Sequence, residues 1–428
     1  METPMQNEKI KIILNYLSNY RQHIPGVFFI LVALFIKLVL TKSIEPEALT
    51  TFSTNINHTA IQIPNWVFNT RFALDLIAGL CAGLGLYQII RGFKKGISSI
   101  IGAIGGLVVL GFLVWGASGT SISFTGMLAV MVIRSVPITI GALAGILSER
   151  AGIVNIAIEG MMIAGAFAGA VIGSILGLWA GILAAILIGA LLGLVHAVLS
   201  IKYKVDQIIS GTMINIFSTG LTSYLFIKFL QDSQNQWLNE SGFFKPYAIP
   251  LLSKIPVIGP IFFDHNLFIY AMYFLVILLS IALFKTKWGL RHRSVGEHPK
   301  AADTLGVNVF RTRYLACVLS GMVAGFGGAY FSLGSVGRFE QTMTAGRGFI
   351  ALAAMIFGNW NPLGALQAGM LFGFAESLTT KLSLLQFPIP AEVLLMLPYI
   401  ITMVVLAGVV GRSRGPAADG IPYEKESL

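Results

Sequence analysis

Residues 178–199 read LWAGILAAILIGALLGLVHAVL, an apolar run unbroken by any charged side chain. As an α-helix at 1.5 Å per residue, it would be about 33 Å long, enough to cross a hydrocarbon core of about 30 Å. A backbone in lipid must satisfy its own hydrogen bonds, so only helices or a closed barrel can span. Barrel strands alternate apolar and polar residues over roughly ten positions. This run is continuous, so it predicts a helix.

Similar runs recur along the chain. We read spans at about 24–40, 72–90, 97–116, 122–147, 151–177, 178–199, 205–230, 266–284, 313–337, 348–376 and 389–410. The segment 348–376 is broken at Gly358-Asn359-Trp360-Asn361-Pro362 and reads as two half-helices or two short spans. The composition agrees: 55% of the 428 residues are hydrophobic and 11% charged, whereas soluble domains carry about 25% charged residues. The predicted fold class is all-α, a polytopic helical membrane protein with about 10–12 transmembrane helices. The 47 glycines suit close helix packing in a membrane.

Most of the 29 basic residues fall on one side of such a topology, which marks that side as cytoplasmic. This puts both termini and the loop Lys285–Arg313 inside. The net charge of +10 is therefore read as loop bias, with membrane lipid rather than nucleic acid as the environment. The first span is expected to be retained, with Lys37 close enough to its end to snorkel. Residues 41–71 and 231–265 read as polar external loops. Cys81 and Cys317 sit in apolar runs and read as packing residues, not a disulfide or metal site.

Two segments carry the candidate chemistry. In the loop 285–313, Gly296, Glu297, Ala301, Ala302 and Gly306 form the pattern G-E-x-x-x-A-A-x-x-x-G. A short helix starting near Pro299, with Ala301, Ala302 and Leu305 on one face, would make a compact knob for a groove on a partner. The plainer reading is a solvated loop. In S-E-R-A-G-I-V-N-I-A-I-E-G, from Ser148 to Gly160, Glu159 is an intramembrane carboxylate, costly unless it meets a partner or a cavity. Asn155 lies four residues earlier and is expected to share a helix face with it. The alternative is interhelical hydrogen bonding that locks the bundle.

Arg134, Asn215, Asn359 and Glu376 add to a polar seam suited to a hydrophilic solute, in which Arg134 could pair with Glu159 or Glu376 or could line a water-filled path. Pro137 is expected to free a carbonyl one turn earlier. No P-loop, H-E-x-x-H or C-x-x-C occurs, so no catalytic residue, metal ligand or cofactor is assigned and the chain carries no ATPase of its own.

The Ser148–Gly160 motif resembles the opening signature of ABC importer permeases of the branched-chain amino acid, ribose and nucleoside group. The pattern W-G-L-R-x-R-x-V-G-E-x-P-x-A-A, from Trp288 to Ala302, is similar to their cytoplasmic coupling loop. S-G-M-V-A-G-F-G-G-A-Y-F-S-L-G from Ser320 and G-F-I-A-L-A-A-M-I-F-G-N-W-N-P-L-G-A from Gly348 complete the likeness, which covers about 120–411. The simple-sugar and nucleoside branch, with lipoprotein receptors for nucleosides or riboflavin, is most similar.

The resemblance implies a fold like that of vitamin-B12 importers (type II). It also implies ATP-binding subunits on the coupling residues, a second permease subunit (the same chain or a different one) and an extracytoplasmic substrate-binding lipoprotein in a bacterial inner membrane. The resulting division is an extra N-terminal segment of two or three helices at 1–118, a permease domain at 119–411 and a tail at 412–428. Alternatives are an ion-coupled secondary transporter working through Glu159 or Glu376, and a permease for branched-chain amino acids.

Overall fold

A computed structural model of the chain describes residues 23–54, 63–93, 97–232, 234–384, 396 and 413–425. Among them, eight helices are long and apolar enough to cross a membrane: α1 (His23–Ser43), α2 (Thr70–Ile90), α4 (Phe124–Glu149), α5 (Ile158–Leu176), α6 (Leu178–Lys202), α7 (Gln207–Leu230), α9 (Leu267–Lys285) and α12 (Val309–Val336). Helix α3 spans Ile97–Gly116. Short helices α8 (Ile258–Phe262), α10 (Lys287–Glu297), α11 (Pro299–Thr304) and α13 (Arg347–Phe357) precede α14 (Pro362–Leu384). The chain is a polytopic helical membrane protein. The expected span at 389–410 lies outside the described residues, apart from Met396.

The chain forms two compact units, Met1–Met127 with Leu378–Arg412, and Leu128–Ser377 with Ser413–Leu428. In the first, the Asn69 side chain caps α2 by accepting from the Phe72 N–H. Gly26 and Gly85 let α1 and α2 meet backbone to backbone, since a Cβ on either would lie 2.9 Å from the other's carbonyl oxygen. Lys37 Nζ pairs with Asp75 of α2 at 2.7 Å, a partner the sequence reading did not name. The expected loop 41–71 contains two strands, β1 (Leu49–Ser53) and β2 (Trp66–Asn69). With β3 (Ser121–Ser123) they form a sheet in the order β2-β1-β3, antiparallel for β1/β2 and parallel for β1/β3. Thr, Phe, Trp and Val at these positions suit a pleated surface, and a reading for long apolar runs passes over such short strands.

In the second unit, α5, α6 and α12 pack through glycine. A Cβ on Gly189 would collide with the Gly321 carbonyl oxygen and one on Gly321 with that of Gly189, so this crossing of α6 and α12 admits no side chain. The region 231–265 holds two 3-10 turns, α8 and a two-stranded ribbon of β4 (Tyr247–Ala248) and β5 (Asp264–His265). The run 151–177 is not one helix. After Glu149 the chain turns, with Gly152 at φ +84, and α5 begins only at Ile158. Asn155 therefore lies in the connection rather than on a shared helix face with Glu159.

Candidate functional site

The first half of the broken segment, α13, is held at both ends by one stretch of sequence. At the start of α13 the Glu159 carboxylate accepts from the Thr344 hydroxyl (2.6 Å) and the amides of Gly346 (2.8 Å) and Gly348 (2.6 Å). At the other end, the Arg150 guanidinium donates to the carbonyls of Trp360 (3.0 Å) and Asn359 (3.2 Å). A negative group at a helix N-terminus and a positive one beyond its C-terminus both complement the macrodipole. Glu149 accepts from the Trp360 indole at 2.6 Å, tying the same turn to the end of α4.

Asn155 and Asn215 act on the connection between α4 and α5. Asn155 Oδ1 accepts from the Ala157 amide (3.0 Å) and its Nδ2 donates to Ser320 Oγ (2.9 Å). Asn215, on α7, accepts from the Gly160 amide (2.7 Å) and donates to the Ile156 carbonyl (2.9 Å). Irregular backbone inside a membrane bundle needs such partners. Asn359 sits at the α13–α14 turn with φ +54, where its Oδ1 accepts from the Arg414 amide (3.2 Å).

Elsewhere, Arg134 and Glu376 meet at 4.0 Å, and Arg347 joins them with its Nη2 3.2 Å from the same Glu376 oxygen. Arg347 also lies 5.8 Å over the Phe331 ring. Sequence reading offered the first pair as one of several alternatives and missed Arg347, whose only signal is a charge just ahead of an apolar half-helix. The Arg134 side chain is 42% exposed, although it lies ten residues inside α4. A guanidinium at that depth faces water or protein rather than lipid.

Next to it, Pro137 has no N–H for the Ile133 carbonyl. The Tyr330 hydroxyl donates to that carbonyl at 2.9 Å, from a π-helical stretch, Tyr330–Val336, that ends α12. Of the sequence candidates, then, Arg134 and Glu376 are brought together, Asn155, Asn215 and Glu159 brace backbone, and Asn359 lies apart at the turn.

The loop 285–313 is structured. His298 caps α11, its Nδ1 accepting from the Ala301 amide (3.1 Å), with Pro299 as the first helical residue. Gly306, at φ +81, ends the turn, and the Val307 amide donates back to the Ala302 carbonyl (3.0 Å). The expected common face of Ala301, Ala302 and Leu305 splits. Ala302 is buried beside Val295, Val309 and Tyr423, while Ala301 and Leu305, one turn apart, point outward and Leu305 is 84% exposed.

The pair α10–α11 is fastened to the end of α4. Gly296 fits against the Arg150 backbone with no room for a Cβ, and Glu297 pairs with Arg150 at 3.8 Å. His292, missed in the sequence, meets the Leu147 carbonyl through Nε2 (2.8 Å). Burial pulls its pKa down to about 4 against the opposing effect of that carbonyl, so at neutral pH it is an uncharged donor.

Residues 127–406 match the family described as Branched-chain amino acid transport system / permease component. The guanosine ABC transporter permease protein NupQ of Bacillus subtilis is 42% identical over 68% of this chain and 94% of its own length. The nucleoside ABC transporter permease protein NupC of Lactococcus lactis is 42% identical over 70% and 96%. A putative glucose ABC transporter permease protein, TsgC13 of Haloferax volcanii, is 32% identical over 60% and 77%. No solved structure matches. With a scaffold that braces a broken helix by its signature segment and carries the loop motif on the end of α4, the chain belongs to the branched-chain amino acid transport system permease family.

Proposed function

We propose that this chain is a membrane-spanning permease subunit of an ATP-driven ABC importer for nucleosides, with simple sugars as the next class. The observation that carries this reading is the knob of α10–α11: it presents Ala301 and Leu305 outward while Gly296, Glu297 and His292 lock it to α4. A push on such a knob moves a span helix, which is what conversion of ATP energy into an access change needs. The substrate class rests on the likeness to the guanosine and nucleoside permeases.

In this reading the knob faces the cytoplasm, with both termini on that side of a bacterial inner membrane, and separate ATP-binding subunits dock on it. A second permease subunit completes the pathway, and a substrate-binding lipoprotein delivers the cargo from outside. The chain itself does no covalent chemistry. Its permease domain follows the N-terminal segment 1–118. We place the solute path along Arg134, Glu376 and Arg347, where guanidinium donors, a carboxylate acceptor and the Phe331 ring can meet sugar hydroxyls and a base. Weak binding there suits release.

The test is uptake of labelled guanosine by proteoliposomes holding the permease pair, the ATPases and the lipoprotein. Uptake that requires internal ATP and survives a protonophore supports the reading. Uptake driven by a proton gradient without ATP overturns it in favour of secondary transport.

A further inference from the structure

The C-terminal residues 413–425 do not trail away from the bundle. They run across the junction between the knob and the span helices. The Ala418 amide donates to the Gly296 carbonyl (2.8 Å), and the Ala417 amide to Glu297 Oε2 (3.3 Å). These are the two knob residues that also bear on Arg150. Next along, the strap closes over apolar surface: Tyr423 is buried against Val295, Ala302 and Val309, with its ring 5.3 Å from Phe310. Ala302 is the only buried residue of α11, so Tyr423 forms much of the floor on which that short helix rests.

Arg313 adds an electrostatic reason for the strap to stay. Its side chain, at the start of α12, is 2% exposed. Its Nη1 donates to the Ile421 carbonyl at 2.9 Å, the one acceptor found for this guanidinium among the described residues. A hydrogen bond from a charged donor is stronger than a neutral one, so this contact favours the docked strap. At the other end the Arg414 amide binds Asn359, and Gly415 lies against the Trp360 ring. The strap therefore touches the turn after α13, the knob and the start of α12.

We propose that Ser413–Lys425 is a coupling strap: it positions α10–α11 on the span helices so that motion imposed on the knob reaches the pathway. This rests on the ABC permease reading above. A loosely held knob can still bind an ATPase, because Ala301 and Leu305 stay exposed, but it swings instead of pushing.

The experiment uses the full importer in proteoliposomes with the permease chain ended after Arg412. The expected result is normal co-purification of the ATPases, basal ATP hydrolysis within twofold of wild type, and at least a tenfold loss of both lipoprotein-stimulated hydrolysis and uptake. Stimulated hydrolysis and uptake within twofold of wild type overturn the proposal. If the shortened chain fails to assemble, Tyr423→Ala decides, with Tyr423→Phe as the variant that keeps the ring in place. The Ala variant should lose stimulation while Phe retains it, and equal stimulation in both overturns the strap. Failure of the wild-type importer to use ATP would instead overturn the permease reading, so the two failures are distinguishable.

Discussion

Glu159→Ala removes the acceptor at the start of α13 and leaves the Thr344 hydroxyl and the amides of Gly346 and Gly348 without their partner. Each buried donor left unpaired costs about 1–3 kcal/mol, and neighbouring losses do not add fully. A net cost of about 3 kcal/mol is therefore the working figure for local stability. At about 1.4 kcal/mol per factor of ten, the segment 344–350 should open roughly a hundredfold more often. Glu159→Gln should fall between, because Oε1 carries two of the three bonds and can stay an acceptor. The amide nitrogen would then face the Gly348 N–H, and the loss is one bond, about tenfold. Hydrogen–deuterium exchange of the protein in nanodiscs, followed on peptides covering 340–350, reads this directly. Protection of Gly346 and Gly348 in Glu159→Ala within threefold of wild type would refute the reasoning and return Glu159 to the pool of free pathway carboxylates.

Three further outcomes follow from the same geometry. Tyr330→Phe should strip the Ile133 carbonyl of its donor and destabilise the middle of α4 by about 1–2 kcal/mol, seen as faster exchange around 133–137 with the rest of α4 unchanged. Glu376→Gln leaves Arg134 and Arg347 facing each other without a countercharge; guanosine uptake should fall about tenfold or more, equivalent to a penalty of roughly 1.4 kcal/mol, and Glu376→Asp should restore part of it.

Burial lifts the Asp419 carboxyl to about 7, against the lowering effects of its hydrogen bonds and of Arg313. The docked strap thus holds a proton that a free strap, with an ordinary carboxylate near 3.8, has released. Its docking is strongest below that ordinary value and weakens as pH rises through about 7. Proteolysis of the C-terminal segment should accelerate from about pH 4 to about 7 and level off above that in the wild type, and Asp419→Asn should flatten that rise.

The span helices were legible because lipid allows few solutions: long apolar runs had to be helices, and eight of them are among the described residues. Pro137 was legible for a similar reason, since a missing N–H must strand the Ile133 carbonyl. Its donor was not, because Tyr330 stands 197 positions away in sequence and no local pattern joins them. Asn155 was misplaced because periodicity continues through the turn at Gly152; an i, i+4 spacing says nothing about whether the helix is interrupted between the two residues. Lys37 was read as snorkelling because its partner, Asp75, lies on another helix. The C-terminal strap is polar, short and rich in Pro, Gly and Ala, so its sequence looks like solvated tail. What holds it is mostly backbone hydrogen bonding to Gly296 and Arg313, which side-chain identity does not announce.

In the proposed importer the knob is the point where ATP energy enters. Leu305, exposed and remote from the contacts that hold α10–α11 on α4, tests it with least risk to the fold. ATP-driven guanosine uptake should be measured in proteoliposomes with wild-type chain and with Leu305→Asp. Loss of ATPase association and at least a tenfold fall in uptake, with unchanged thermal stability, is the predicted result. Wild-type uptake and ATPase binding in Leu305→Asp and in the bulkier Ala301→Trp would contradict the account.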